Sequence, residues 1–115
     1  MVEKLDGNRL SEILKAVSDT TRRELLTQLV QQGPTRVTDL AAVYAMSLNA
    51  ISKHIKVLEK AQLVRRKTRG RDHWIEAELQ PLRDAEAWFA QLKSIWALRL
   101  EKLDEILNQE DNNHD

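Results

Sequence analysis

Apolar residues recur at helical spacing along most of this chain. Leu10, Ile13, Leu14 and Val17 predict a first helix over about 5–17. Leu25, Leu26 and Leu29 predict a second, capped by Ser18 or Asp19 and stopped at Gly33-Pro34. Thr38 is placed to cap a short helix around Asp39–Tyr44, and Ser47 a fourth that runs to about Ala61. Two short helices separated by a turn of about three residues make a helix-turn-helix. Leu63–Lys67 and His73–Ala77 then read as strands joined through Arg69-Gly70-Arg71-Asp72, where Gly70 supplies the permissive turn position. Pro81 sits where a first helical turn tolerates it, and helical periodicity continues to about Leu107, a length of ~40 Å. Asn108–Asp115 is polar and expected to fray. The expected fold is mainly α with a small β-hairpin, in one domain spanning residues 1–115. It contains a recognition helix over about 47–61, a wing over about 63–78 and a last helix over about 80–108.

On a helical wheel, Leu48, Ile51, Ile55 and Leu58 fall in one stripe of the fourth helix. Asn49, Lys53, Lys56, Val57 and Lys60 point away from it, with Ser52 and His54 on its flanks. Lysine can donate to guanine O6 and N7 or to a phosphate, and asparagine can pair with adenine N6 and N7. The N-terminal half of the second helix of a helix-turn-helix meets the bases. Asn49, Ser52 and Lys53 are therefore the base-edge candidates, with Lys56 nearer the backbone. A lysine-rich helix face is often no more than a solvated surface. Here the cap, the turn and the neighbouring basic hairpin all agree on nucleic acid.

Charge sharpens this picture. Residues 36–75 carry nine cations against Asp39, Glu59 and Asp72, a net charge of +6. Residues 76–115 are at −6 and residues 1–35 are neutral, so the formal net charge of zero conceals one basic face. Arg65, Arg66, Lys67, Arg69 and Arg71 make both strands and the tip of the hairpin too charged to be buried. Such a hairpin can lie along a groove and neutralise phosphates. Charging an edge against aggregation is the ordinary alternative, but it needs fewer than five cations in seven residues.

Composition removes other classes. Of the five aromatics only Trp74 lies in the basic segment, which disfavours stacking on unpaired bases. Asp84 and Glu86 fall on different faces of a helix, and neither a Gly-rich phosphate loop nor a metal motif appears, so no enzyme is expected. The chain has no cysteine. Its longest apolar run, Leu40–Met46, is seven residues against the ~20 that a membrane span needs, and it lacks an N-terminal apolar leader. A cytoplasmic protein without membrane contact follows as the expectation.

The motifs resemble a known family. Asp19-Thr20-Thr21-Arg22-Arg23-Glu24-Leu25-Leu26 is similar to the D-P-T-R-R-x-I-L opening of the ArsR/SmtB winged helix-turn-helix repressors. Asp39-Leu40-Ala41, Met46-Ser47 and Ser52-Lys53-His54-Ile55-Lys56-Val57-Leu58 resemble its L-A…L-S…S-x-H-L-x-x-L signature. The resemblance covers roughly residues 10–108. Thr20 replaces the usual proline, which loosens only the start of the second helix. Gln62 replaces the glycine that usually ends the recognition helix; with a positive φ there, glutamine costs about 1 kcal/mol.

The resemblance implies a homodimeric repressor on a palindromic operator in double-stranded DNA, dimerising through its first and last helices. The implied interface draws on Leu10, Ile13, Leu14, Leu92, Ile95, Trp96, Leu100 and Leu103. The sequence supports the last helix independently. Leu82, Ala85, Phe89, Leu92, Trp96, Leu100, Leu103 and Leu107 form an apolar stripe on a helix too long for a small monomer to cover. Its first half is expected to pack on its own domain and the rest on a partner.

The candidate DNA-binding set is Arg36, Thr38, Ser47, Asn49, Ser52, Lys53, His54, Lys56, Arg66, Lys67, Arg69 and Arg71. Many members of the family release DNA on binding metal through cysteines, or through His, Asp and Glu on the last helix. Here the last helix has no histidine, and His54, His73 and His114 are far apart in the chain. No regulatory metal and no cofactor are expected. The aromatic last helix, with Trp88, Phe89 and Trp96, resembles that of metal-independent members and leaves an apolar effector open. Two other readings stay open: an activator that displaces another DNA-binding protein, and a protein-interaction module with a basic face.

Overall fold

The chain forms α1 (Gly7–Ala16), α2 (Thr20–Gln32), β1 (Thr35–Arg36), α3 (Val37–Val43), α4 (Leu48–Lys60), β2 (Val64–Arg69), β3 (Asp72–Ala77) and α5 (Gln80–Asn112). The computed structural model describes residues 7–112. Leu5 and Asp6, where the first helix was expected to begin, lie outside the described residues, as does His114. Two compact units are present, one ending at Ala85 and one starting at Glu86.

Asp19, one of the two expected caps, opens α2 by accepting the Arg22 amide at 3.0 Å. That hydrogen bond is the main reason its carboxyl is held below the usual range. The arginines that follow finish α1. Arg22 Nε donates to the Ala16 carbonyl at 2.8 Å and its Nη2 to Lys15 at 3.0 Å, while Arg23 reaches Val17 at 2.8 Å. Carbonyls at and just beyond the end of α1 thus receive cationic donors, which also suit the helix dipole.

The third helix starts earlier than expected. Arg36 is its N-cap and makes no side-chain cap hydrogen bond, so Thr38 lies inside the first turn instead of capping it. Two constraints set this start. Thr35 and Arg36 form a short strand paired with Ile75 and Trp74, and Val37 is already buried.

The turn between α3 and α4 and the end of α4 use the same device. Met46 N donates to Ala41 O and Ala45 N to Ala42 O; Leu63 N donates to Leu58 O and Gln62 N to Glu59 O. These are the paired bonds of a Schellman motif, whose pivot is left-handed and usually glycine. The pivots here are Ala45 at φ 50° and Gln62 at φ 60°. Gln62→Gly is therefore expected to raise the unfolding free energy by about 1 kcal/mol in urea denaturation, since it removes left-handed strain at a small cost in chain entropy. Equal or lower stability would show that the motif stores no strain there.

Ser47 caps α4 as expected, its hydroxyl accepting the Ala50 amide at 3.1 Å. Ile51, Ile55 and Leu58 from α4 are buried with Ile13, Leu25, Leu29, Leu40, Leu63 and Ile75 in one core. Three expectations change here. Leu48 is 53% exposed, because the core ends one turn inside the start of α4. Val57 packs partly against the core instead of pointing away, because α1 lies on that side of α4. Ile13, expected at a subunit interface, is 1% exposed inside the subunit, where α1 packs on α4; Leu10 and Leu14 are half-buried.

The hairpin belongs to a three-stranded antiparallel sheet of order β1-β3-β2. Arg69 pairs with Asp72, so Gly70 and Arg71 alone make the turn, tighter than the four residues expected. Gly70 has φ 62°, as a two-residue hairpin with glycine first requires. Contrary to the expectation that charge keeps both strands out of the interior, Val64 and Ile75 are buried and root the hairpin in the core.

Helix α5 continues to Asn112, beyond the expected end near 108, and spans about 50 Å. Within the unit that begins at Glu86, Leu92, Ile95, Trp96, Leu100 and Leu103 are each about half exposed. Leu82 and Ala85 pack on the core of the first unit, as expected for the start of the stripe. No described helix is long and apolar enough to cross a membrane.

Candidate nucleic-acid interface

Helix α4 presents Asn49, Lys53 and Lys56 to solvent, with Ser52 half-buried beside them. The Ser47 hydroxyl is engaged in the cap and Thr38 is exposed on the first turn of α3. Between this helix pair and the hairpin lies an open recess of about 190 Å³, lined by Arg36, Val37, Thr38, Leu48, Ser52, Arg66, Arg71, Asp72 and His73. Five of the sequence-predicted residues, Arg36, Thr38, Ser52, Arg66 and Arg71, thus meet around one cleft.

Ion pairing divides the nine basic residues from Arg36 to Arg71 into two groups. Arg36 pairs with Asp39 at 3.0 Å and Asp72 at 4.0 Å, and lies 5.9 Å from the Trp74 ring. Lys60 pairs with Glu12 at 3.5 Å, Arg66 with Glu59 at 3.0 Å, Lys67 with Glu76 at 3.1 Å, and Arg65 with Glu78. The Gln80 amide, and after it the Arg65 guanidinium, hold the Glu78 carboxyl below its usual range. Among the described residues, Lys53, Lys56, Arg69 and Arg71 have no ion-pair partner. Two stand on α4 and two flank Gly70 at the hairpin tip.

The pairs also connect elements. Arg66–Glu59 ties β2 to the last turn of α4, and the contacts of Arg36 tie the start of α3 to β3. Arg36 and Arg66 therefore hold the hairpin against the helix pair, and their charge is already matched. His54, also in the expected set, faces a carboxylate. Its Nδ1 lies 3.8 Å from Asp19 Oδ2 and its side chain is 21% exposed, because its flank of α4 faces the start of α2. His73 Nδ1 lies 3.3 Å from the Thr68 hydroxyl. No group of three or more His, Cys, Asp or Glu among the described residues is arranged to hold a metal ion.

Sequence reasoning missed Leu48 at the cleft, Trp74 and Asp72 under Arg36, and the counter-charges Glu76 and Glu78. The alternation along β3 held a signal for Glu76: any register that pairs it with Arg65 brings it diagonally next to Lys67.

A helix-turn-helix domain family matches residues 17–67. The arsenical resistance operon repressor of Bacillus subtilis is 36% identical over 56 residues, which are 49% of this chain and 53% of that protein. The crystal structure of an ArsR family transcriptional regulator superposes with a TM-score of 0.76 at 33% identity, covering 83% of this chain and 97% of that one. A solution structure from Mycobacterium bovis, described as a homodimeric winged helix-turn-helix DNA-binding domain, has a TM-score of 0.59 at 22% identity and covers 82% of this chain and 83% of that one.

Proposed function

The chain belongs to the ArsR family of winged helix-turn-helix transcriptional regulators, and from that premise we propose that it is a homodimeric repressor of a palindromic DNA operator, working in the cytoplasm without a metal co-effector. The observation that carries this reading is the set of unpaired cations, Lys53 and Lys56 on α4 and Arg69 and Arg71 at the hairpin tip. A helix that reads the major groove and a wing that follows the backbone need free charge at these two places. The half-exposed apolar row from Leu92 to Leu103 supports dimerisation, as does the homodimeric state of the Mycobacterium bovis relative. The curated repressor it resembles is matched over only 53% of its length, so its arsenical response is not carried over.

The primary test is selection of sheared genomic fragments by the purified protein at ~0.15 M salt, where non-specific phosphate binding is weakened. Recovery of one palindromic site is the expected result. Uniform recovery, or none, would favour a protein partner for the basic face. Lys53→Ala is expected to lose about 10-fold on the selected site and little on random DNA, measured by titration of both; equal losses would remove Lys53 from base reading. Zinc at stoichiometric concentration is expected to leave operator affinity unchanged, because the chain has no cysteine and its last helix no histidine. Release of DNA by zinc would contradict the metal-free reading.

A further inference from the structure

Leu48 opens α4 and remains 53% exposed, although it shares a wheel stripe with Ile51 and Ile55, which are at most 1% exposed. It lines the cleft between the helix pair and the hairpin together with Thr38, Ser52, Arg71 and His73. Asn49, the next residue, is exposed beside it, and Lys53 lies just over one turn further along the same helix. A large apolar side chain thus stands among polar groups and beside one unpaired cation, Arg71.

The surroundings restrict what can cover it. A ligand for this face is polyanionic, yet next to Leu48 it must present an isolated apolar group. Double-stranded DNA does so in the major groove, where the 5-methyl of thymine is the one apolar feature on the base edges. Val30 and Val43 are comparably exposed, but the groove that Val43 lines is made mostly of glutamines and threonines, with a carboxylate, Glu24, next to its cation Arg23.

We propose that Leu48 reads a thymine 5-methyl group in each half-site of the operator. This rests on the operator-binding reading above and adds a specificity determinant that hydrogen bonding does not provide. Asn49, Ser52 and Lys53 address polar base edges, and Leu48 distinguishes thymine from cytosine or uracil by shape and hydrophobicity. Removal of one methyl from such a contact weakens binding about 4-fold, so removing both from a palindrome weakens it about 15-fold.

The test uses the full chain and the operator recovered by selection. Thymines are replaced in symmetric pairs by deoxyuridine, which deletes the methyl and leaves every hydrogen-bonding group. One pair is expected to lower affinity of the natural protein about 15-fold. Leu48→Ala should bind the methylated and demethylated operators equally, with unchanged affinity for random DNA and an unchanged salt slope. Leu48→Met keeps the apolar reach and should retain most of the methyl preference. Indifference of the natural protein to every replacement, or a full methyl preference in Leu48→Ala, overturns the proposal while operator binding stands. Failure to select any operator overturns both.

Discussion

The Trp96→Glu/Leu100→Glu protein is expected to sediment as a monomer and to lose at least 100-fold in operator affinity. Trp96 is 62% exposed and Leu100 46%, one turn apart on α5 and in line with Leu92 and Leu103. Covering side chains of this size is worth roughly 1.5–3 kcal/mol each, and the pair occurs twice in a symmetric dimer. Glutamate removes that gain and makes contact costly, because a carboxylate taken from water without a partner opposes burial. The loss on DNA follows from geometry. A dimer binds its second half-site at an effective concentration in the millimolar range, and a monomer has no such advantage. Sedimentation equilibrium and operator titration check the two halves of the prediction. Both positions are already solvated within their unit, so helical content should be preserved. A dimer with undiminished affinity would remove this face of α5 from the interface.

Replacing Arg69 and Arg71 together by alanine is expected to weaken binding to operator and random DNA alike, by about 30-fold per wing at ~0.15 M salt. The two arginines flank Gly70 and have no ion-pair partner among the described residues, so their charge is free to neutralise phosphates. Each neutralised phosphate contributes about 0.9 to the slope of log affinity against log salt, so two lost contacts flatten it by about 1.8 per wing. Arg66→Ala is the internal contrast. Its charge is matched by Glu59 at 3.0 Å with both side chains about one-third exposed, so the slope should stay unchanged even where affinity falls. A slope that drops equally for Arg66→Ala would mean that the pair opens on DNA and that all wing cations act alike.

The caps at Asp19 and Ser47, the stop at Gly33-Pro34, the glycine in the hairpin turn and the buried Ile51, Ile55 and Leu58 were all readable from the chain. Each is local or periodic: a side chain and a backbone amide three residues apart, a φ angle, or a repeat every three or four positions. The left-handed conformation at Gln62 was anticipated only through the family resemblance, which puts a glycine at that place; glutamine itself gives no local signal for it.

What the chain does not state locally is which cation faces which carboxylate. Residues 36–75 have a net charge of +6, yet five of their nine cations are matched in the fold. Lys60 meets Glu12 from 48 positions earlier, Arg66 meets the last turn of α4, and Arg65 meets Glu78 across the sheet. His54 turns to Asp19 and Ile13 into the core for the same reason, because the neighbour that decides each is distant in sequence. The sequence by itself determined the helix-turn-helix, its caps and turns, and the sign of the face it presents. Tertiary structure alone decided that Lys53, Lys56, Arg69 and Arg71 keep their charge free and that Leu48 stays uncovered among polar groups, since pairing and burial depend on which segments the fold packs together.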